Sequence, residues 1–359
     1  MGKVGKLQVA LDKPFYTPGD DVQGTVYLEL KEAVDVDKIY VKVKGKEKVE
    51  WREEWEEPIF EEVEGVRQVT GHREESAEYD EKESFFKKKI KLVPSEDFEM
   101  GAGKYAFPFS FTLPTKGKKG GALAGSWDVE DGTAFGWRGT RGRTHNMKAK
   151  VEYSLKAVVD LDDSKDLEKK VDFCVYPGLP KAVPMPSDAR EASVMFCCCI
   201  NRGSLKMEAT LDKNVYSPGD EAEAVLKVEN ESALEVTAMV EMNRIMRMRA
   251  DEHQINSSRE MQLGRFDVIE PGETKTVHMK FRIPDTHPTT KAQHLECSYV
   301  LDIVSELQCA PDIELHFPVH IYQRPIDPSF WVEGLGDVAE YAVAGHGEPE
   351  NMELKPGYA

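Results

Sequence analysis

An all-β fold of two tandem immunoglobulin-like β-sandwich domains is predicted by three observations: a motif repeated 200 residues on, apolar residues alternating around both copies, and no long amphipathic helical pattern. The motif Leu11, Asp12, Lys13, Tyr16, Pro18, Gly19 and Asp20 returns as Leu211, Asp212, Lys213, Tyr216, Pro218, Gly219 and Asp220. Leu7 and Val9 precede the first copy and Val22, Val26 and Leu28 follow it; Met207 and Ala209 precede the second, and Ala222, Leu226 and Val228 follow it. Period-two alternation on both sides of a Pro-Gly-Asp turn reads as strand, turn, strand with one face buried.

Further strands follow in order. In the first unit they are Ile39-x-Val41-x-Val43, then Phe107 to Leu113, Val151 to Val159 and Val171 to Val175. The second unit answers with Val277 to Ile283, Cys297 to Ile303 and Leu315 to Ile321. Val151-Glu-Tyr-Ser-Leu155 matches Leu295-Glu-Cys-Ser-Tyr299 in pattern at an offset of 144, so the first unit is the longer by insertions. The expected organisation is an amino-terminal domain at 1–176, a linker at 177–204 stiffened by Pro177, Pro180, Pro184 and Pro186, a carboxy-terminal domain at 205–322, and an acidic, extended tail at 323–359. Two inserts read as mobile loops: one with eight glutamates between Glu50 and Glu64, the other with eight glycines between Thr115 and Arg143.

At 359 residues the chain is long enough for two cores. Its formal charge of -18 disfavours a nucleic-acid partner, because phosphate binding needs a basic surface. Six cysteines without framework spacing point to a reducing compartment, and neither a membrane-length apolar run nor a signal-type amino terminus is found, so the expected location is cytoplasmic.

The chemistry-bearing candidates are few. No nucleophile elbow, phosphate loop or dinucleotide fingerprint occurs, and the expectation is a protein with no enzymatic activity, no cofactor and no metal. His316 and His320, four apart on a strand, stand about 13 Å from each other, too far for one ion with bonds of about 2 Å. Asp20 and Asp220 read as caps of their turns, and Tyr16 and Tyr216 as rings at the core edge. Trp51, Glu53, Glu54, Trp55, Glu56 and Glu57 read either as a grip for a basic, partly apolar peptide or as a solvated charge run. Arg138, Arg141 and Arg143, with Lys116, Lys118 and Lys119, read either as a site for anionic lipid or a phosphorylated tail or as a simple glycine-rich loop. Cys197, Cys198 and Cys199 read either as S-acylation acceptors beside Val194, Met195 and Phe196 or as small hydrophobes of a buried linker strand.

Taken in order, Tyr16-x-Pro18-Gly19-Asp20, Val43-Lys-Gly45, Val49-x-Trp51, Phe85-Phe86, Gly103-Lys-Tyr105-x-Phe107-Pro108-Phe109-x-Phe111-x-Leu113-Pro114 and Val151-x-Tyr153-x-Leu155-Lys-Ala157 resemble the α-arrestins, the arrestin-domain-containing proteins. Cys197-Cys-Cys199, Gly203-x-Leu205 and the second Tyr-x-Pro-Gly-Asp resemble the start of that family's carboxy-terminal domain. The resemblance spans roughly residues 7 to 322 and implies two cupped arrestin-like sandwiches with a polar interface. It also implies a non-enzymatic adaptor that links membrane-protein cargo, signalling proteins or trafficking adaptors to ubiquitination and endocytic machinery. The expected place of work is peripheral, at plasma or endosomal membrane. Family tails recruit ligases through Pro-Pro-x-Tyr motifs; this sequence has no Pro-Pro pair, so a ubiquitin ligase is expected only through another protein. A retromer-type sorting subunit of the same fold, and a stress or structural scaffold without a cargo role, are the alternatives.

Overall fold

The structure is a computed structural model. It describes residues 4–323 apart from 14, 64–65, 95, 119, 132–136, 139–142, 163, 178–179, 181, 197–199 and 309, together with 342–343. Among these residues there is no helix.

In the first sandwich, β1 (Gly5–Leu11), β3 (Asp21–Leu30) and β7 (Gly103–Thr112) form one sheet, with β22 (Ala342–Val343) added in parallel to β7. Its second sheet runs β2 (Phe15–Tyr16), β11 (Leu167–Val175), β10 (Arg143–Leu161), β4 (Val34–Val63), β5 (Val66–Lys91), with β6 (Phe98–Met100) on β4 and β8 (Trp127–Asp131) on β10. The second sandwich repeats the plan: β12 (Ser187–Phe196), β13 (Ile200–Leu211), β15 (Glu221–Asn230) and β18 (Thr274–Arg282) face a sheet of β14 (Val215–Tyr216), β21 (Ile313–Ile321), β20 (Leu295–Leu307), β16 (Val236–Ala250) and β17 (His253–Ile269). There β19 (Thr290–Lys291) pairs with β20, and β9 (Trp137–Arg138), from the first domain's chain, closes the far edge of β17. The alternating apolar residues of both sheets make the core, among them Val26, Leu28, Val41, Phe107, Leu155, Leu226, Met242 and Leu301.

The repeated motif is a rivet used twice. The Tyr16 hydroxyl donates to Asp12 Oδ1 (2.6 Å) and the Tyr216 hydroxyl to Asp212 Oδ1 (2.8 Å). The same carboxylate oxygens accept the N–H of Gln23 and of Glu223, at 3.1 Å in both copies. Asp20 and Asp220 close their turns by accepting the Thr17 and Ser217 N–H groups, and Gly19 (φ 96) and Gly219 (φ 84) take the left-handed conformation that such a turn requires. The copies differ at the following lysine: the Lys13 N–H donates to the Tyr16 hydroxyl (3.3 Å), whereas the Tyr216 hydroxyl lies 2.6 Å from the Lys213 carbonyl, a second acceptor. Asp12→Ala is therefore expected to cost about 1–3 kcal/mol, because it strands the phenol proton, and Asp212→Ala nearer about 1 kcal/mol. Urea denaturation of the two single variants checks this, and equal costs would refute it.

Strand pairing shifts the later correspondence by two residues. Tyr153 lies opposite Phe173, and Tyr299 opposite Val319; Val175 pairs with Tyr16, and Ile321 with Tyr216. The units thus match at an offset of 146, Tyr153 to Tyr299, not 144. A shift of two keeps every side chain on its face, so alternation cannot detect it. The two tyrosines do the same work: Tyr153 donates to the Ala124 carbonyl and Tyr299 to the His287 carbonyl (2.7 Å).

Three further readings are corrected. The stretch read as a linker contains β12, which runs along β13 from Ser187 to Phe196, and β13 itself starts at Ile200. β12 is an edge strand in which, among the residues whose burial is described, Val194 is the buried apolar one, so alternation along it is weak. The acidic insert is not a loop: Glu50 to Val63 continue β4, paired with β5 to Val66 across one register shift between Ile59 and Phe60. The glycine-rich insert holds β8 and β9, and Arg143 begins β10.

Candidate functional site

The β4–β5 hairpin outgrows its sandwich. Along β4, residues 41, 43, 45, 47, 49 and 51 face inward as in any half-buried strand. β10 accompanies β4 only as far as Glu54, opposite Arg143. Beyond it, β4 continues through nine more residues to Val63, about 30 Å of strand at the usual rise. That ribbon needs no buried face, which is why charge replaces apolar alternation there. Between Glu50 and Glu83 the sequence holds fourteen acidic and four basic residues, a net -10 of the chain's -18.

The candidate grip residues separate by position. Trp51 is 2% exposed, stacked on Tyr79 with ring centres 5.2 Å apart, and donates through Nε1 to Glu53 Oε1 (3.2 Å). Glu53 is itself buried. Neither is available to a partner, because both face inward at the hairpin's base, and their place in an exposed grip is corrected. Trp55 is half-buried and donates to Glu57 Oε1 (3.2 Å). Glu54, Glu56 and Glu57 are exposed. The tip is apolar and open: Ile59, Phe60, Val66 and Val69 are 43–58% exposed, with Arg67 seated over the Phe60 ring at 4.1 Å.

The base of the hairpin braces the two domains. Glu47, 1% exposed, accepts the backbone N–H groups of Gln293 (3.0 Å) and His294 (2.8 Å) from the second domain. Burial raises its carboxyl above the usual carboxylate range, against the lowering effect of those hydrogen bonds. Opposite it on β5, Glu83 Oε2 lies 3.1 Å from His294 Nε2. Tyr79 meets the His253 ring at 4.4 Å, and Trp127 donates to the Pro288 carbonyl (3.0 Å) with its ring 5.0 Å from His287. The loop from His287 to His294 is thus pinned to the first domain at both ends. Sequence reasoning missed this junction, although Glu47 carried a signal: it is a charge in the inward phase of Val43, Gly45, Val49 and Trp51.

Two domain families match this chain in that order: "Arrestin (or S-antigen), N-terminal domain" over residues 7–179 and "Arrestin (or S-antigen), C-terminal domain" over 201–326. The chain belongs to the arrestin family, with α-arrestin-like character. A curated relative, "Arrestin domain-containing protein A" of Dictyostelium discoideum, is 24% identical over 322 residues, 88% of this chain and 51% of that protein, so the chain spans about half of that relative's length.

The remaining candidates take these places in the arrestin fold. The backbone of Arg138 lies in β9 opposite Asn256, while Arg141 and Lys119 fall outside the described residues, as do Cys197, Cys198 and Cys199. His316 is exposed with Nδ1 2.6 Å from Asp302 Oδ1, and burial lowers the pKa of His320. Among the described residues Asp302, Glu314 and His316 form a group of metal-binding types, but Asp302 is already held by His316 and by Asn243 Nδ2 (2.7 Å). Cys174 and Cys297 are free thiols, and burial pushes Cys297 up to about 11. No helix among the described residues is long and apolar enough to cross a membrane.

Proposed function

We propose that this chain is a non-enzymatic, cytoplasmic arrestin-type adaptor that links membrane cargo or signalling proteins to trafficking or ubiquitination machinery, with the acidic hairpin as its docking arm. The observation that carries this reading is the ribbon beyond Glu54, an exposed acidic stem ending in an open apolar tip. A platform fixed at Glu47 would hold such an arm in one orientation, which keeps the entropic cost of docking low. Residence at plasma or endosomal membrane would come from acylation of Cys197, Cys198 and Cys199 and from the cationic segment Arg138 to Arg143 on anionic lipid; one acyl chain binds only marginally, so two or more are needed. In this reading a ubiquitin ligase arrives through another protein.

Exposed charges are screened within about 8 Å at physiological salt, so the arm governs encounter rate and selectivity more than final affinity. Reversal of Glu54, Glu56 and Glu57 to lysine should leave folding within about 0.5 kcal/mol of wild type while removing cationic cargo from affinity capture in the native cell. Identical partners in identical amounts would refute the docking arm.

A further inference from the structure

The far edge of β5 is open along a defined length. Among the described residues no strand pairs with it, whereas β4 occupies its other side. The opening has limits: at Phe85 the edge is closed by the Lys118 N–H, which donates to the Phe85 carbonyl (3.3 Å), and at Tyr79 the ring meets His253 of the second domain. From Val66 to Glu78 the unpaired backbone groups face solvent.

The molecule shows what such an edge takes. β17 is the counterpart of β5 in the second sandwich, the outer strand of the hairpin beside β20, and its edge is covered by β9, antiparallel at Asn256 and Ser257. That added strand is Trp137-Arg138, in a stretch that continues to Arg141 and Arg143. The β5 edge differs in charge. Glu56 and Glu74 sit directly opposite each other in the ladder, and among the described residues no cation pairs with either. Facing like charges destabilise a sheet, and a cation laid beside them relieves the repulsion. The three nearby arginines are already engaged: Arg52, opposite Glu78, with Glu54 and Ser76, Arg73 with Glu57 and Glu75, and Arg67 over Phe60. Toward the tip, Val69 lies opposite Phe60, both exposed.

We propose that the Val66–Glu78 edge of β5 receives an extended segment of a partner protein as an added β-strand, its cationic side chains beside Glu74 and Glu78 and an apolar one beside Val69. Main-chain hydrogen bonds hold the segment, and the alternate side chains select it. The acidic ribbon repels a second copy of itself, which keeps the edge from pairing with its own kind. The inference rests on the docking-arm reading and names its ligand chemistry.

The test uses the full chain and a fluorescent synthetic peptide, Lys-Val-Arg-Val-Lys-Val-Arg-Phe, beside a copy methylated at alternate backbone nitrogens. The methylated peptide keeps every side chain but cannot complete a ladder. Expected results are saturable binding, slowed amide exchange within residues 66–78, and at least about a tenfold loss of affinity for the methylated peptide and for the variant Glu74→Lys with Glu78→Lys. Equal binding of the two peptides, or exchange unchanged over 66–78, overturns strand addition. Dimerisation of the free chain through this edge overturns it as well, by giving the edge another occupant. Should the Glu54, Glu56 and Glu57 reversal lose cargo while the two peptides bind equally, the docking arm stands and strand addition falls.

Discussion

Glu47→Ala is expected to uncouple the two domains. The substitution leaves the part-buried N–H groups of Gln293 and His294 without their acceptor, and since a buried donor left unsatisfied costs about 1–3 kcal/mol, the junction loses at most about 2–6 kcal/mol. Neither sandwich core is touched. Two separated unfolding transitions should replace coincident ones in calorimetry, and the radius of gyration in solution scattering should rise. A single undisturbed transition would show that Glu47 braces nothing.

Glu47→Gln separates charge from hydrogen bonding, since the amide oxygen still accepts. The folded-state pKa of Glu47 is raised, so the stability that it contributes by titrating is fully present below its unfolded value and is lost as pH rises through its folded value. Because glutamine does not titrate, the stability of wild type minus that of Glu47→Gln should decline as pH climbs from about 4 towards neutrality. A difference that grows with pH would reverse the assigned cause.

The second large effect is expected at Tyr299. Its ring is 1% exposed in the second core, and its hydroxyl holds the His287 carbonyl (2.7 Å) and meets Thr286 Oγ1 (2.9 Å). Burial holds the phenol well above the usual tyrosine range, so it remains a proton donor throughout physiological pH. Tyr299→Ala should cost about 3–5 kcal/mol, as removal of large buried rings does. Because His287 and Pro288 sit against Trp127, it should also loosen the junction. Tyr153→Ala should cost a similar amount without that second effect, since Ala124 belongs to its own domain. Domain-resolved hydrogen exchange distinguishes the two; matched effects on residues 287–294 would contradict the linkage.

Half-buried strands were legible because burial on one face imposes a period of two, and the Pro-Gly-Asp turns are local. The duplication marked Tyr16 and Tyr216 and the Asp20 and Asp220 turns, but not that the Asp12 and Asp212 carboxylates accept the two hydroxyls, nor that both rings are fully buried. What escaped has three physical causes. A two-residue shift preserves facing, so Tyr153 was aligned with Cys297 rather than Tyr299. Strands outside a core need no apolar side, so the Glu54 to Val63 ribbon looked like a loop and β12 like a linker. The bracing of Glu47 by Gln293 and His294 joins residues nearly 250 apart, and no local pattern specifies the partner. The six candidate grip residues read as one exposed run because charge hides the strand phase that turns Trp51 and Glu53 inward.

The account stands most directly on whether cargo touches the ribbon. A photo-crosslinking amino acid placed at Glu56 of the full chain in the native cell should form adducts with membrane proteins or their trafficking adaptors, while the same group at the exposed Lys169 of β11 should not. Adducts of equal kind and yield at both positions, or at Lys169 alone, would contradict the hairpin as a docking arm.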